Sequence, residues 1–207
     1  MKRRLLLTTI LLVVTMSNAQ NIKSSITKSY EDNSYKNKEG QNYEYDDEGN
    51  LISAIRFGWT ENSTTAGWSP SSKELYTYNS KGKLEELLSL GWDDQYINKT
   101  RSLYEYNDSG RITKVTSQKW NNDQWENSKQ FNISYDNNKL TEGIIKKWEG
   151  TGWILDCRNT ATYTDNKLTG GIEEDFDNGE YVNKWRITIT YHNNFIKTYK
   201  KENWSIF

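Results

Sequence analysis

Two spacings recur along this chain and leave little room for any fold but sheet. An aliphatic residue is followed eight positions later by an aromatic one at Ile22–Tyr30, Leu51–Trp59, Leu84–Trp92, Ile112–Trp120, Leu140–Trp148, Leu168–Phe176 and Ile196–Trp204. An aromatic residue is followed ten positions later by Tyr at Tyr35–Tyr45, Trp68–Tyr78, Tyr96–Tyr106, Trp125–Tyr135, Trp153–Tyr163 and Tyr181–Tyr191. Seven segments of the first kind alternate with six of the second, a repeat of about 28 residues. Eight of the nine Trp occupy these positions, so the aromatic content belongs to the repeat and not to a local patch. A self-similar chain is read unit by unit, each unit completing the next.

The connections read as hairpin turns. They are EDNS, DDQ, NNDQ, EGTG and DNGE in one direction, with one longer case, Thr60–Gly67. In the other they are DDEGN, NSKGK, NDSGR, DNNK, TDNK and HNNF. Asn, Asp and Gly tolerate positive φ or bond their own backbone, and such short loops join antiparallel neighbours. The chain therefore predicts an all-β fold. It is a single antiparallel meander of about thirteen strands, strongly twisted or curled, open or loosely closed.

Both spacings are even, so an unbroken strand points its two marked residues to one face. With Trp120 opposite Trp125, Ile112 falls opposite Ile133 and Thr116 opposite Lys129. The same register sets Ile144 against Cys157 and Ile172 against Trp185. One face then carries aromatic pairs and a Leu/Ile/Tyr row, and the other is mostly polar, as in Glu126, Ser128, Gln130, Asn132 and Ser134. Glu39, Lys129, Glu142, Lys146 and Glu174 also land on the aromatic face unless a bulge intervenes. Burying an unpaired charge costs several kcal/mol, so these groups are expected to meet water or a partner.

Lys2, Arg3 and Arg4 precede an apolar run, Leu5–Met16, and Ser17-Asn18-Ala19 supplies small residues for signal-peptidase cleavage. Residues 1–19 are read as a signal peptide and 20–207 as the β-hairpin repeat domain. The run is short for a membrane span, and none is expected after cleavage. Removing the three basic residues leaves 24 Lys and Arg against 28 Asp and Glu, which gives no basic face for nucleic acid. The destination is periplasmic or extracellular. The single Cys157 forms no internal disulfide there, so stability falls to packing and strand pairing.

No catalytic set emerges. His192 lies in a turn, and Cys157 reads as a small buried hydrophobe with no second Cys or His beside it to hold a metal. The turns Asp46–Asn50 and Asn107–Gly110 carry oxygens, but too few for calcium, and hairpin chemistry explains them. No cofactor is expected. A lipid-facing barrel would need a continuous apolar face, whereas both faces here carry charges.

The segments YEYDDEGNL, YTYNSKGKL and YEYNDSGRI resemble the YxYDxxGxL core of RHS/YD repeats, which build long curled hairpin sheets. KWNNDQWEN and KWEGTGWIL are similar to small exported bacterial repeat proteins of unknown function. The resemblance covers nearly all of Ile22–Trp204. The later units depart from it: they lack the turn Gly, and Thr164 and His192 follow the Tyr. No toxin or protease segment accompanies the repeat, so no toxin-encapsulating role is carried over.

These readings converge on an exported, non-enzymatic β-repeat protein acting as a binding or structural module, its partner a glycan or an envelope protein. The alternative is a secreted carbohydrate-active hydrolase using Glu142 and Glu174. Trp59 and Trp68, at the ends of the one long loop, are candidate ligand contacts, as are Glu142 and Glu174. Oligomeric state is left open.

Overall fold

The computed structural model describes residues 21–61 and 65–204. The signal-peptide reading, the centre of the long loop and the last three residues lie outside the described residues. Thirteen strands follow in order: β1 (Ser24–Glu31), β2 (Ser34–Tyr45), β3 (Leu51–Glu61), β4 (Ala66–Tyr78), β5 (Leu84–Asp93), β6 (Gln95–Tyr106) and β7 (Ile112–Asn121). Then come β8 (Gln124–Asp136), β9 (Lys139–Trp148), β10 (Trp153–Thr164), β11 (Lys167–Asp177), β12 (Glu180–His192) and β13 (Phe195–Asn203). Their order in the sheet is their order in the chain, an antiparallel meander with β1 and β13 as its ends. The chain divides into two compact units, one up to Glu74 and one from Leu75 onward.

Turn chemistry sets the strand ends. Asp32-Asn33, Asn122-Asp123, Asn137-Asn138, Asp165-Asn166, Asn178-Gly179 and Asn193-Asn194 all have positive φ at both residues. That is the two-residue turn whose twist matches the flanking strands. The earlier Tyr turns are one residue longer and use Gly49, Gly82 and Gly110 at positive φ, where a Cβ would be strained. Each is closed by its first side chain or backbone: Asn50 N–H donates to Asp46 Oδ1 at 2.7 Å, and Arg111 N–H to Asn107 Oδ1 at 3.0 Å. The loss of the turn Gly in later units is thus a change from the longer turn to Asn-Asn or Asp-Asn.

The register differs from the unbroken one. In each even strand whose pairing is described, one extra residue interrupts the ladder three positions after the aromatic: Lys38, Lys99, Ser128, Asp156 and Lys184. In the odd strands β3, β7, β9, β11 and β13 a second follows the first aliphatic: Ile52, Thr113, Thr141, Thr169 and Lys197. Thr116 therefore faces Gln130 instead of Lys129, Ile144 faces Arg158 instead of Cys157, and Ile172 faces Arg186 instead of Trp185. Lys114 takes Asn132, which moves Ile133 past Ile112. The aromatic pair Trp120–Trp125 next to the turn keeps its predicted partner.

A bulge exchanges the faces for everything beyond it. The aromatic pairs and the Tyr/Leu/Ile row consequently lie on opposite faces, a correction to the single aromatic face read from even spacing. On the tyrosine face, Tyr104, Val115, Phe131, Ile145 and Cys157 stand in register across five strands. Ala54, Ile133 and Ile189, the most buried apolar residues, belong to that face in their own strands. Gly143 leaves the space for Phe131, whose ring lies 2.8 Å from where a Cβ would be. Glu39 and Lys129 transfer to the tyrosine face and are exposed there, while Glu142, Lys146 and Glu174 stay with the aromatic pairs.

Candidate functional site

Trp59 and Trp68 close the β3–β4 hairpin edge to face, with centroids 5.1 Å apart and planes at 67°. Trp59 Nε1–H donates to Glu61 at 3.3 Å, and Trp68 is 37% exposed. The Trp68 ring lies over Gly40 of β2, 3.3 Å from where a Cβ would stand, so the absent side chain at Gly40 seats it. The same geometry recurs at Trp92–Tyr96, Trp120–Trp125, Trp148–Trp153 and Phe176–Tyr181, with centroids 4.8 to 5.2 Å apart. Edge-to-face stacking sets the negative ring face against the positive edge of its neighbour. The ends of the long loop thus carry the ordinary hairpin clasp.

Glu174 sits opposite Arg158 and accepts its Nε–H at 2.7 Å. The Glu174 side chain is only 14% exposed, so the pair is partly desolvated. That hydrogen bond is the main reason the Arg158 guanidinium is held above its usual range, with Glu142 adding a weaker attraction. Glu142 lies between Ser134 and Thr160 on the same face. The two carboxylates therefore flank an arginine. Glu174 is thereby held in an ion pair and is not left free toward a substrate.

Arg158 was not singled out in the sequence, and neither were its counterparts. Arg158 stacks over Tyr181 at 4.1 Å, Arg101 over Trp125 at 4.7 Å and Arg186 over Trp204 at 5.3 Å. Arg101 also donates to Gln118, which donates to Asn127, so the middle of the clasp face is a hydrogen-bonded polar ladder. On the tyrosine face, Tyr45, Tyr106, Tyr135 and Tyr191 donate to the carbonyls of Ile22, Leu84, Ile112 and Leu168 at 2.7 to 3.1 Å. Arg111, Lys139 and Lys167 lie over Tyr135, Tyr163 and Tyr191 and donate to Asn138, Asn166 and Asn194. Their fixed offset from those Asn is the signal that could have revealed them.

Cys157 lies on the tyrosine face against Ile145 and Asp175, not Ile144. Burial, then the carboxylates of Asp156, Glu173 and Asp175, pushes its thiol up to about 11, the reverse of an activated nucleophile. In the Asp46 turn both carboxylate oxygens accept donors from Asn50, and this holds the carboxyl below its ordinary value. Among the described residues, no group of three or more His, Cys, Asp or Glu could hold a metal ion, and no helix is long and apolar enough to cross a membrane.

No family model matches the chain, and no curated protein does. Among solved structures it is similar to a protein of unknown function from Bacteroides fragilis, at 16% identity and a TM-score of 0.46, over 56% of this chain and 88% of that one. It is similar to a DUF3836 family protein from Bacteroides vulgatus at 22% identity and a TM-score of 0.35, over 40% of this chain and 89% of that one. A porin-like protein from Bacteroides uniformis aligns over 79% of this chain and 90% of its own, at 13% identity and a TM-score of 0.37. With every TM-score below 0.5, these likenesses carry no argument about function.

Proposed function

We propose that the chain is an exported, non-catalytic β-repeat module of the bacterial envelope or exterior, built to present a repetitive surface to a glycan or an envelope protein. The observation that carries this reading is the recurrence of one set of roles. Ring clasp, tyrosine hydroxyl, stacked cation and turn Asn return in successive hairpins, and Trp59, Trp68 and Glu174 each fill such a repeated or paired role. A catalytic centre needs a group that breaks the pattern, poised toward a substrate. The YD-type turns and the signal-like N-terminus favour export.

The test is a panel of glycoside, ester and peptide substrates, run with the protein and its Glu142→Gln and Glu174→Gln forms. No turnover is expected; turnover abolished by either carboxamide would replace this reading with the hydrolase. A glycan partner predicts a change in Trp emission on adding soluble oligosaccharide, lost in Trp59→Ala or Trp68→Ala. A protein partner predicts no such change.

A further inference from the structure

Within the second unit, the odd strands β7 and β11 each meet the even strand that follows through three contacts. A ring near the odd strand's end takes the partner's ring, as Trp120 takes Trp125 at 4.9 Å. The carbonyl of its first aliphatic takes a Tyr hydroxyl, as Ile112 takes Tyr135. The residue just before lies over that Tyr, as Arg111 does. Strand β13, with Phe195 and Ile196, and Trp204 just past its end carry the odd-strand half of this set, and no described strand follows. Phe195, Ile196 and Trp204 are 78%, 61% and 41% exposed. A hollow bounded by His192, Asn193, Phe195, Ile196 and Lys197 lies at the level where the partner Tyr would sit.

Charge narrows the occupant. Lys200 and Lys201 hold the positions of Thr116 and Ser117 in β7, which face the fifth and fourth residues after Trp125. Lys200 is 68% exposed in its side chain and reaches Glu202 at 2.8 Å, while Lys201 stacks on Trp185 at 4.3 Å. Lysines on an edge strand discourage pairing with other chains in general, a second copy of the same strand included. Acidic residues at those two partner positions would instead be attracted.

We infer that the outer edge of β13 binds an extended polypeptide strand. The strand carries an aromatic residue, acidic residues four and five positions later, and a Tyr ten positions after the aromatic. Main-chain pairing supplies affinity, and the ring, acid and Tyr positions supply selection, as in β-augmentation generally. This rests on the reading of the chain as a binding or structural module and names the chemical class of its partner.

The probe is a labelled peptide of the β8 sequence, residues 124–136, with Lys129→Glu and Gln130→Glu, titrated into the full chain by fluorescence anisotropy. Saturable binding is expected. It should weaken at least about tenfold when the peptide Tyr is replaced by Ala, since a ring contact and a hydrogen bond go together. It should also weaken in Trp204→Ala and in the Lys200→Glu, Lys201→Glu protein. No binding, equal binding by a scrambled peptide, or unchanged binding in the charge-reversed protein would overturn the inference. A protein that binds no peptide and turns over no substrate loses this inference alone. One that hydrolyses a substrate loses the module reading whether or not the peptide binds.

Discussion

Replacing Trp120 by Ala separates the geometry of an aromatic pair from its burial. The Trp120–Trp125 and Tyr30–Tyr35 pairs have nearly the same centroid distance, 4.9 and 5.0 Å. Their environments differ: both Trp are half-buried, whereas Tyr30 and Tyr35 are 62% and 73% exposed. A packed aromatic side chain removes roughly 150–250 Å² from water, and a partly covered Trp about 100–150 Å² of that. At ~25 cal/mol per Å² this contributes about 2.5–4 kcal/mol. The edge-to-face contact adds about 0.5–1.5 kcal/mol, and compactness of the unfolded chain reduces the area contribution by roughly 10–40%. Trp120→Ala should therefore cost about 3 kcal/mol. Tyr30→Ala, a surface pair, should cost about 1 kcal/mol or less. Urea unfolding followed by far-ultraviolet circular dichroism measures both. Equal losses, or a Trp120→Ala loss below about 1 kcal/mol, would refute the burial reasoning and return the aromatic row to recognition as its purpose.

Three further outcomes follow from single contacts. Tyr135→Phe removes a part-buried hydroxyl donated at 2.9 Å to Ile112 and should cost about 1 kcal/mol in urea; Tyr45→Phe, whose bond is exposed, should cost a few tenths at most, and the reverse order would contradict the role given to this clamp. Gly171→Ala places a Cβ 3.0 Å from the Thr160 carbonyl and should destabilise by about 1–3 kcal/mol. Gly58→Ala has nothing within 4 Å and should be near neutral, so equal melting shifts would disprove the crowding. Asp46 is held below the ordinary value of 3.8, first by its Asn50 side-chain hydrogen bond. Its contribution is therefore complete above that value and lost as pH falls through the lower folded value. The Gly49 and Asn50 amide signals should titrate with a midpoint under 3.8, and a midpoint at or above it would count against the bond.

Strand number, turn positions and the clasp at each hairpin end were legible because each has a local chemical cause: ring spacing, Asn or Gly at positive φ, a short loop. The bulges were not. The even-strand extra residues, Lys38, Lys99, Ser128, Asp156 and Lys184, are polar like much of the chain around them and do not stand out, since a bulge is a property of two strands and not of one. Counting parity through Ser128 placed Lys129 on the clasp face and hid the row Val115, Phe131, Ile145 on the other. The same slip cost the candidate site its key residue. Without the bulge Arg158 is set opposite Gly143; with it Arg158 stands between Ile144 and Glu174, where it pairs with the carboxylate. That Glu142 and Glu174 share the aromatic face survived, because both lie on the clasp side of the odd-strand bulge.

The face exchange stands or falls on register in one hairpin, and paired cysteines read it directly. In a Cys157→Ser background, Cys at Thr116 and Gln130 occupy directly opposed positions, and Cys at Thr116 and Lys129 do not. A disulfide needs Cα atoms within roughly 7 Å and Cβ atoms pointing together. Oxidation should join the 116/130 pair and leave the 116/129 pair free. Efficient closure of 116/129 with 116/130 open would mean an unbroken strand, a single aromatic face, and a different account of every contact beyond the clasp.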